Sequence, residues 1–311
     1  MNIKNVIVPV DFSPTSRLAV DHGVFLARKF HARLTLLHVV ESLSPLAGSF
    51  MIETAGIEKE QEEQALRMLS ALLGSEDQDD LDLRVDIRNG DIKNEIIAGI
   101  RDEKANLIVM GTHGRGLLAR LLIGSITEAL LRRVPVPVLT VSGVAHPLRF
   151  KRILFATDLS KHSETAFDFA LDFARAMGSE LIIHHAVTPL SRVSEGGEAL
   201  PDLSKLDGDE AKAQVATLAR EAARQNVKAE TSVVEADTAA DAILKTAEEQ
   251  LAELILIAVE KKRLVDRALL GTTAERVIRA AKVPVLSVPV GINTTREEMA
   301  GAHGGKRSSK D

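Results

Sequence analysis

The sequence predicts two tandem α/β domains, each a doubly wound parallel sheet of five strands with helices on both faces. The first ground is a repeat. Lys4-Asn5-Val6-Ile7-Val8-Pro9-Val10-Asp11-Phe12-Ser13 reappears as Lys151-Arg152-Ile153-Leu154-Phe155-Ala156-Thr157-Asp158-Leu159-Ser160, a step of 147 residues from Asp11 to Asp158. The same step joins Ala27-Arg28 to Ala174-Arg175, His38 to His185, Leu107-Ile108-Val109-Met110 to Leu254-Ile255-Leu256-Ile257, and Gly124 to Gly271. It also joins Pro137-Val138-Leu139 to Pro284-Val285-Leu286. Solenoid repeats run about 20–50 residues, so this period marks a duplicated domain. The second ground is alternation, within each half, of short apolar runs with helical stretches, the pattern of a parallel sheet. The third is composition: 45% of 311 residues are apolar, with nine Phe and no Tyr or Trp. Cores built from Ile, Leu, Val and Ala suit buried parallel strands covered by helices.

In chain order, residues 3–10 form the first apolar strand. Ser13-Pro14 then supplies an N-cap with Pro in the first turn, opening a helix over 14–30 with Leu18, Phe25, Leu26 and Ala27 among its apolar positions. Residues 33–40 read as a strand. Residues 41–56, mixed in Ser, Gly and Pro, read as an excursion or lid. A helix over 57–74 closes on Gly74 as C-cap. A strand near 81–88, a helix near 92–103, a buried strand at 106–110, a helix near 125–133 and a strand at 136–142 complete the unit. The second half repeats the order over 150–290. These elements place domains at 1–143 and 149–291, followed by a polar tail, 292–311, of disordered composition.

Composition also excludes functions. Without cysteine there is no disulfide, thiolate or Cys-ligated metal chemistry. A net charge of −5 and scarce aromatics argue against nucleic acid, which needs a basic face or stacking platforms. No apolar stretch approaches the roughly 18–20 residues of a membrane span. The first residues lack the apolar core of a secretory leader, so the expected location is the cytoplasm, with no membrane partner.

The chemistry gathers after the fourth strand. Gly111-Thr112-His113-Gly114-Arg115-Gly116 leads to Gly124-Ser125 at a helix start. This is neither a Walker A loop nor a dinucleotide fingerprint. Glycines let a backbone approach a ligand closely, and a helix N-terminus offers unpaired N–H groups and a positive dipole end to an anion. Ser125, Ile126 and Thr127 open that helix, two of them with hydroxyls, and Arg115 adds a cation. A triphosphate fits such a cradle.

The pattern resembles the G-x-x-G-x9-G-S/T motif of the universal stress protein family, which Gly111, Gly114, Gly124 and Ser125 match position for position. The resemblance covers both halves, as in tandem, E-type members. It implies strand order 3-2-1-4-5 in each domain, with Asp11 and Gly111 facing one crevice at the topological switch point. It implies an adenine-nucleotide site with Val39 offering backbone contacts to adenine, Pro9, Val10 and Met110 lining base and ribose, and His113 near the phosphates. A carboxylate repels phosphates, so Asp11 belongs at the nucleoside end. The implied ligand is ATP, or ADP or AMP, with Mg²⁺ as companion ion.

The second half departs from the motif. Ala258 and Lys261 replace Gly111 and Gly114, and only Gly271-Thr272 and Asp158 persist. A Lys side chain in the second Gly slot either crowds the backbone approach or pairs with a phosphate; of the two, a degenerate, mainly architectural domain is the expectation. His184-His185 resembles a metal pair, but adjacent strand residues point to opposite faces, so sheet-end packing is the better reading. The runs Val134–Val141 and Val283–Val288 read as sheet-edge strands. By the same resemblance they pair as an internal pseudo-dimer, and a homodimer of whole chains is compatible. Hydrolysis needs a positioned water and charge stabilisation, and no base with an orienting partner stands out. The expectation is a nucleotide-binding stress regulator. The rivals are a slow ATPase and an interaction module that binds no nucleotide.

Overall fold

In the computed structural model, residues 1–41, 51–73, 81–112, 123–143, 148–188, 208–261 and 271–291 are described. The first half runs β1 (Asn5–Pro9), α1 (Pro14–Phe30), β2 (Arg33–Glu41), α2 (Met51–Leu72), β3 (Leu83–Gly90), α3 (Ile92–Asp102), β4 (Leu107–Gly111), α4 (Ser125–Arg133) and β5 (Val138–Val141). The second runs β6 (Arg152–Ala156), α5 (Lys161–Met177), β7 (Glu180–Val187), α6 (Gly208–Arg224), β8 (Ala229–Glu235), α7 (Ala239–Glu249), β9 (Leu254–Lys261), α8 (Thr272–Ala280) and β10 (Val285–Gly291). The step of 147 separates the starts of seven element pairs. It fails for α2/α6 and for β3/β8, where the intervening chain differs in length.

Local chemistry sets the helix ends. Ser13 caps α1, its hydroxyl accepting from Ser16 N–H at 3.2 Å, and Pro14 follows. Ser160 does the same for α5. Alternation along the strands sorts side chains to two faces. Val6, Val8, Leu34, Leu36, Leu107 and Val109 join one buried cluster with α1 and α2, and Ile7, Leu37, Ile108 and Met110 join the other with α3 and α4.

Each half is a five-stranded parallel sheet ordered 3-2-1-4-5, and the two halves form one ten-stranded sheet, β3-β2-β1-β4-β5-β10-β9-β6-β7-β8. The join is antiparallel, pairing Val138–Thr140 with Val285–Ser287. Thr140 Oγ1 donates to Val285 O across it at 3.1 Å. The strands read as edges in each domain thus become the centre of the molecule. Five of the nine phenylalanines gather beside this join: Phe150 contacts Phe25 and Phe173, with ring centroids 5.8 and 6.3 Å apart, and Phe173 also meets Phe30 and Phe169.

Several boundaries move. α2 starts at Met51 instead of 57, because a single interior glycine, Gly56, costs only about 1 kcal/mol and does not stop a helix. β5 covers 138–141 instead of 136–142, since Pro135 and Pro137 have no N–H for a ladder. β3 sits two residues later than expected. The C-cap at Gly74, most of the 41–56 excursion, linker residues 144–146 and the tail 292–311 lie outside the described residues.

Candidate functional site

The crevice forms where the sheet changes direction. α1 and α2 cover one face and α3 and α4 the other, so β1 and β4 flank the switch point. β1 and β4 pair only at Val6↔Leu107 and Ile7↔Ile108, and then diverge. Ligands of open α/β sheets bind beyond such carboxyl ends.

On the β1 side the chain turns sharply. Val10 N–H donates to Leu37 O at 2.8 Å, the last bond before the strand leaves its neighbour. His38 Nδ1 lies 2.7 Å from Val10 O and its ring packs on Phe12, centroids 4.7 Å apart. Phe12 is left-handed at φ 60°, and Asp11 Oδ1 accepts from Ser13 N–H at 3.0 Å. A bulky residue held in that region marks a loop fixed by its surroundings. Backbone groups alternate sides along a strand. Leu37 O faces β1, so Val39 turns its N–H and C=O to the same side, beyond the point where β1 departs. Among the described residues that amide edge has no backbone partner at the crevice.

On the β4 side Gly111 is dictated by packing. A Cβ there would lie 2.9 Å from Thr15 Cβ and 3.1 Å from the Thr15 carbonyl carbon, so the first turn of α1 rests on the end of β4. Thr127 Oγ1 donates to Gly111 O at 3.0 Å. Buried Thr112 gives its N–H to Val141 O and accepts from Gly124 N–H, both at 2.9 Å. These bonds bring the start of α4 to the end of β4. Gly124 is the N-cap of α4 with no side-chain cap bond, leaving first-turn N–H groups for an anion. Met110 is buried, and half-buried Val39, Ile92, Ile123 and Ile126 belong to the same apolar cluster.

Pro9, Val10, Asp11, Val39, Met110, Gly111, Gly124, Ser125, Ile126 and Thr127 therefore share one end of one sheet. His113, Gly114 and Arg115 lie outside the described residues. Sequence reasoning missed Thr15, Thr112, Ile92 and Ile123. Thr15 alone carried a signal, as a hydroxyl residue in the first turn after the cap.

The second half repeats the turn. Leu159 is left-handed at φ 59°, and His185 Nδ1 lies 2.9 Å from Thr157 O. The shared role of His38 and His185 is to hold the backbone after the first strand. Burial acts to raise the Asp158 carboxyl, but hydrogen bonds from Ser163 and Ser160 outweigh it and hold the group below its ordinary range. His184 faces a different partner, with Nδ1 3.1 Å from Ser232 Oγ. Its Nε2 is buried with no hydrogen-bond partner among the described residues. Burial, with a smaller contribution from His185, pushes its pKa down to about 4. Among the described residues no cluster of three His, Asp or Glu is placed to hold a metal, and no helix is long and apolar enough to cross a membrane.

The sequence profile of the Universal stress protein family matches residues 2–142 and 149–289. A universal stress protein of Mycobacterium tuberculosis is 27% identical over 297 residues, 90% of this chain and 95% of that protein. A shorter one from Methanocaldococcus jannaschii is 30% identical over 142 residues, 44% of this chain and 81% of its own. In fold, a universal stress protein from Archaeoglobus fulgidus is similar over 92% of this chain and 98% of its own, with TM-score 0.68 and 24% identity.

Proposed function

The chain belongs to the universal stress protein family, and from that premise we propose that its first domain binds ATP or another adenine nucleotide and reports by occupancy. The observation that carries the reading is the convergence, at one switch point, of the Val39 amide edge with the start of α4, both without a capping or ladder partner among the described residues. An adenine edge is complemented by backbone N–H and C=O, and phosphates by first-turn N–H groups. Asp11, on the β1 side, suits ribose hydroxyls. Met110, Ile92, Ile123 and Ile126 supply apolar surface for the base. His113, Gly114 and Arg115 would complete the phosphate end, and Mg²⁺ would offset charge there.

In the same reading the domains span 1–143 and 149–291, the two-domain layout supports the E-type grouping, and whole chains are free to pair further. The test is calorimetric titration of ATP with Mg²⁺ into nucleotide-free protein, beside a Gly114→Lys variant copying Lys261. Saturable binding lost in the variant is the expected result. No binding to stripped wild-type protein would sink the reading. Phosphate release in the same solutions separates occupancy from turnover.

A further inference from the structure

The two domains end their fourth strands differently, and the difference falls on the phosphate end of the crevice. In the first domain β4 pairs with β5 up to Gly111↔Val141. Thr112, Ser142 and Gly143 already lie outside the strands. In the second domain the corresponding chain stays in the sheet: Val259, Glu260 and Lys261 pair in register with Pro289, Val290 and Gly291. β9 has 8 residues where β4 has 5. Val259 and Val290 are buried, so the extension is packed and not a frayed ribbon.

One carbonyl shows the exchange. Thr112 O accepts from Gly124 N–H at 2.9 Å, which draws the start of α4 onto the end of β4. Its counterpart, Val259 O, is directed by the parallel register at Val290 N–H, and Lys261 N–H at Val290 O. Backbone groups engaged in a ladder are not available to a ligand.

Three substitutions accompany the extension. Ala258 replaces Gly111, whose hydrogen lets the first turn of α1 rest on the end of β4 at Thr15, so the second domain does not repeat that close seat. Ala274 replaces Thr127 and has no hydroxyl to tie helix to strand. Glu260 sets a carboxylate where His113 stands in the first half, its Oε1 3.9 Å from His162 Nδ1.

We infer that the second domain is a fixed half, the first residues of its would-be phosphate loop, Val259–Lys261, zipped into β9, so that the chain takes one nucleotide, in the first domain. The stoichiometry rests on the nucleotide reading of that domain, whereas the zipped ladder stands without it.

Residue-level hydrogen exchange on the full chain without nucleotide tests the ladder. The amides of Val290 and Lys261 should exchange at least roughly 100-fold more slowly than unstructured chain, as ladder amides in a core sheet do. They should not change when ATP and Mg²⁺ are added. Fast exchange at both overturns the inference. Titration of the same protein should give one equivalent, and two equivalents overturn the inference. An Ala258→Gly/Lys261→Gly variant should still bind one, because β10 holds the ladder whichever side chains β9 carries; a second site there also overturns it. Slow exchange with no binding overturns the nucleotide reading and the stoichiometry, and upholds the fixed ladder alone.

Discussion

His31 and Gly178 close the same turn after the first helix of each half, at φ 51° and 71°. An L side chain in that left-handed region costs about 1–2 kcal/mol, and glycine does not. His31→Gly should therefore stabilise the protein by about 1 kcal/mol and Gly178→Ala should destabilise it comparably, both measured by denaturant midpoint. His184 is a second weak point, a buried polar ring in the interior where the first half has Leu37. Its pKa falls from 6.5 in the unfolded chain to about 4 in the fold. Between those values the unfolded chain binds a proton that the folded chain does not. Stability from this group is thus complete above pH 6.5 and lost as pH falls toward 4, by about 3 kcal/mol in total. A His184→Leu/Ser232→Ala variant should lose less stability than wild type over that window. Equal losses would mean the ring is hydrated in solution. The sequence showed His184 only as half of a pair; its burial depends on helix α7, which strand periodicity does not report.

At the level of elements, α1 and α4 were legible to the residue because their ends carry local chemistry: Ser13-Pro14 for one, Gly124-Ser125 for the other. α2 was not, since its start depends on whether tertiary burial overrides Gly56. The crevice was legible where a motif or a strand end marked it, as at Asp11, Gly111 and Ser125. Thr15 and Thr112 escaped because their roles are contacts between the start of one element and the end of another. Those contacts give Gly111 a packing role, seating α1 on β4, beside the ligand role proposed for it. Gly111→Ala should then destabilise the first domain by about 1–3 kcal/mol, the range for overpacking, and weaken nucleotide binding through displacement of α1. Unchanged thermal stability with lost binding would assign Gly111 to the ligand alone. The expected five strands and their order held, whereas the lengthening of β9 was not read: the loss of the strand-breaking Gly114 at Lys261 favours it, but the ladder itself depends on residues 289–291 of β10, far along the chain.

For the whole molecule, the two buried clusters each run through both halves. Phe150, before β6, packs on α1 of the first half and α5 of the second. Thermal unfolding followed by calorimetry should show one transition for both domains. Phe150→Ala should lower it by about 3–5 kcal/mol, the usual cost of truncating a buried Phe, without splitting it. Two separated transitions would show that the halves fold independently. The antiparallel join of β5 to β10 has a further consequence. Its two strands belong to one chain, tethered through residues 142–284, so their encounter is governed by an effective concentration instead of by how much protein the cell holds. Dilution cannot part them: any opening of this seam is an event within one molecule, with an equilibrium independent of protein concentration. If the proposed occupancy of the first domain is read out through this seam, the response should be the same at every protein concentration.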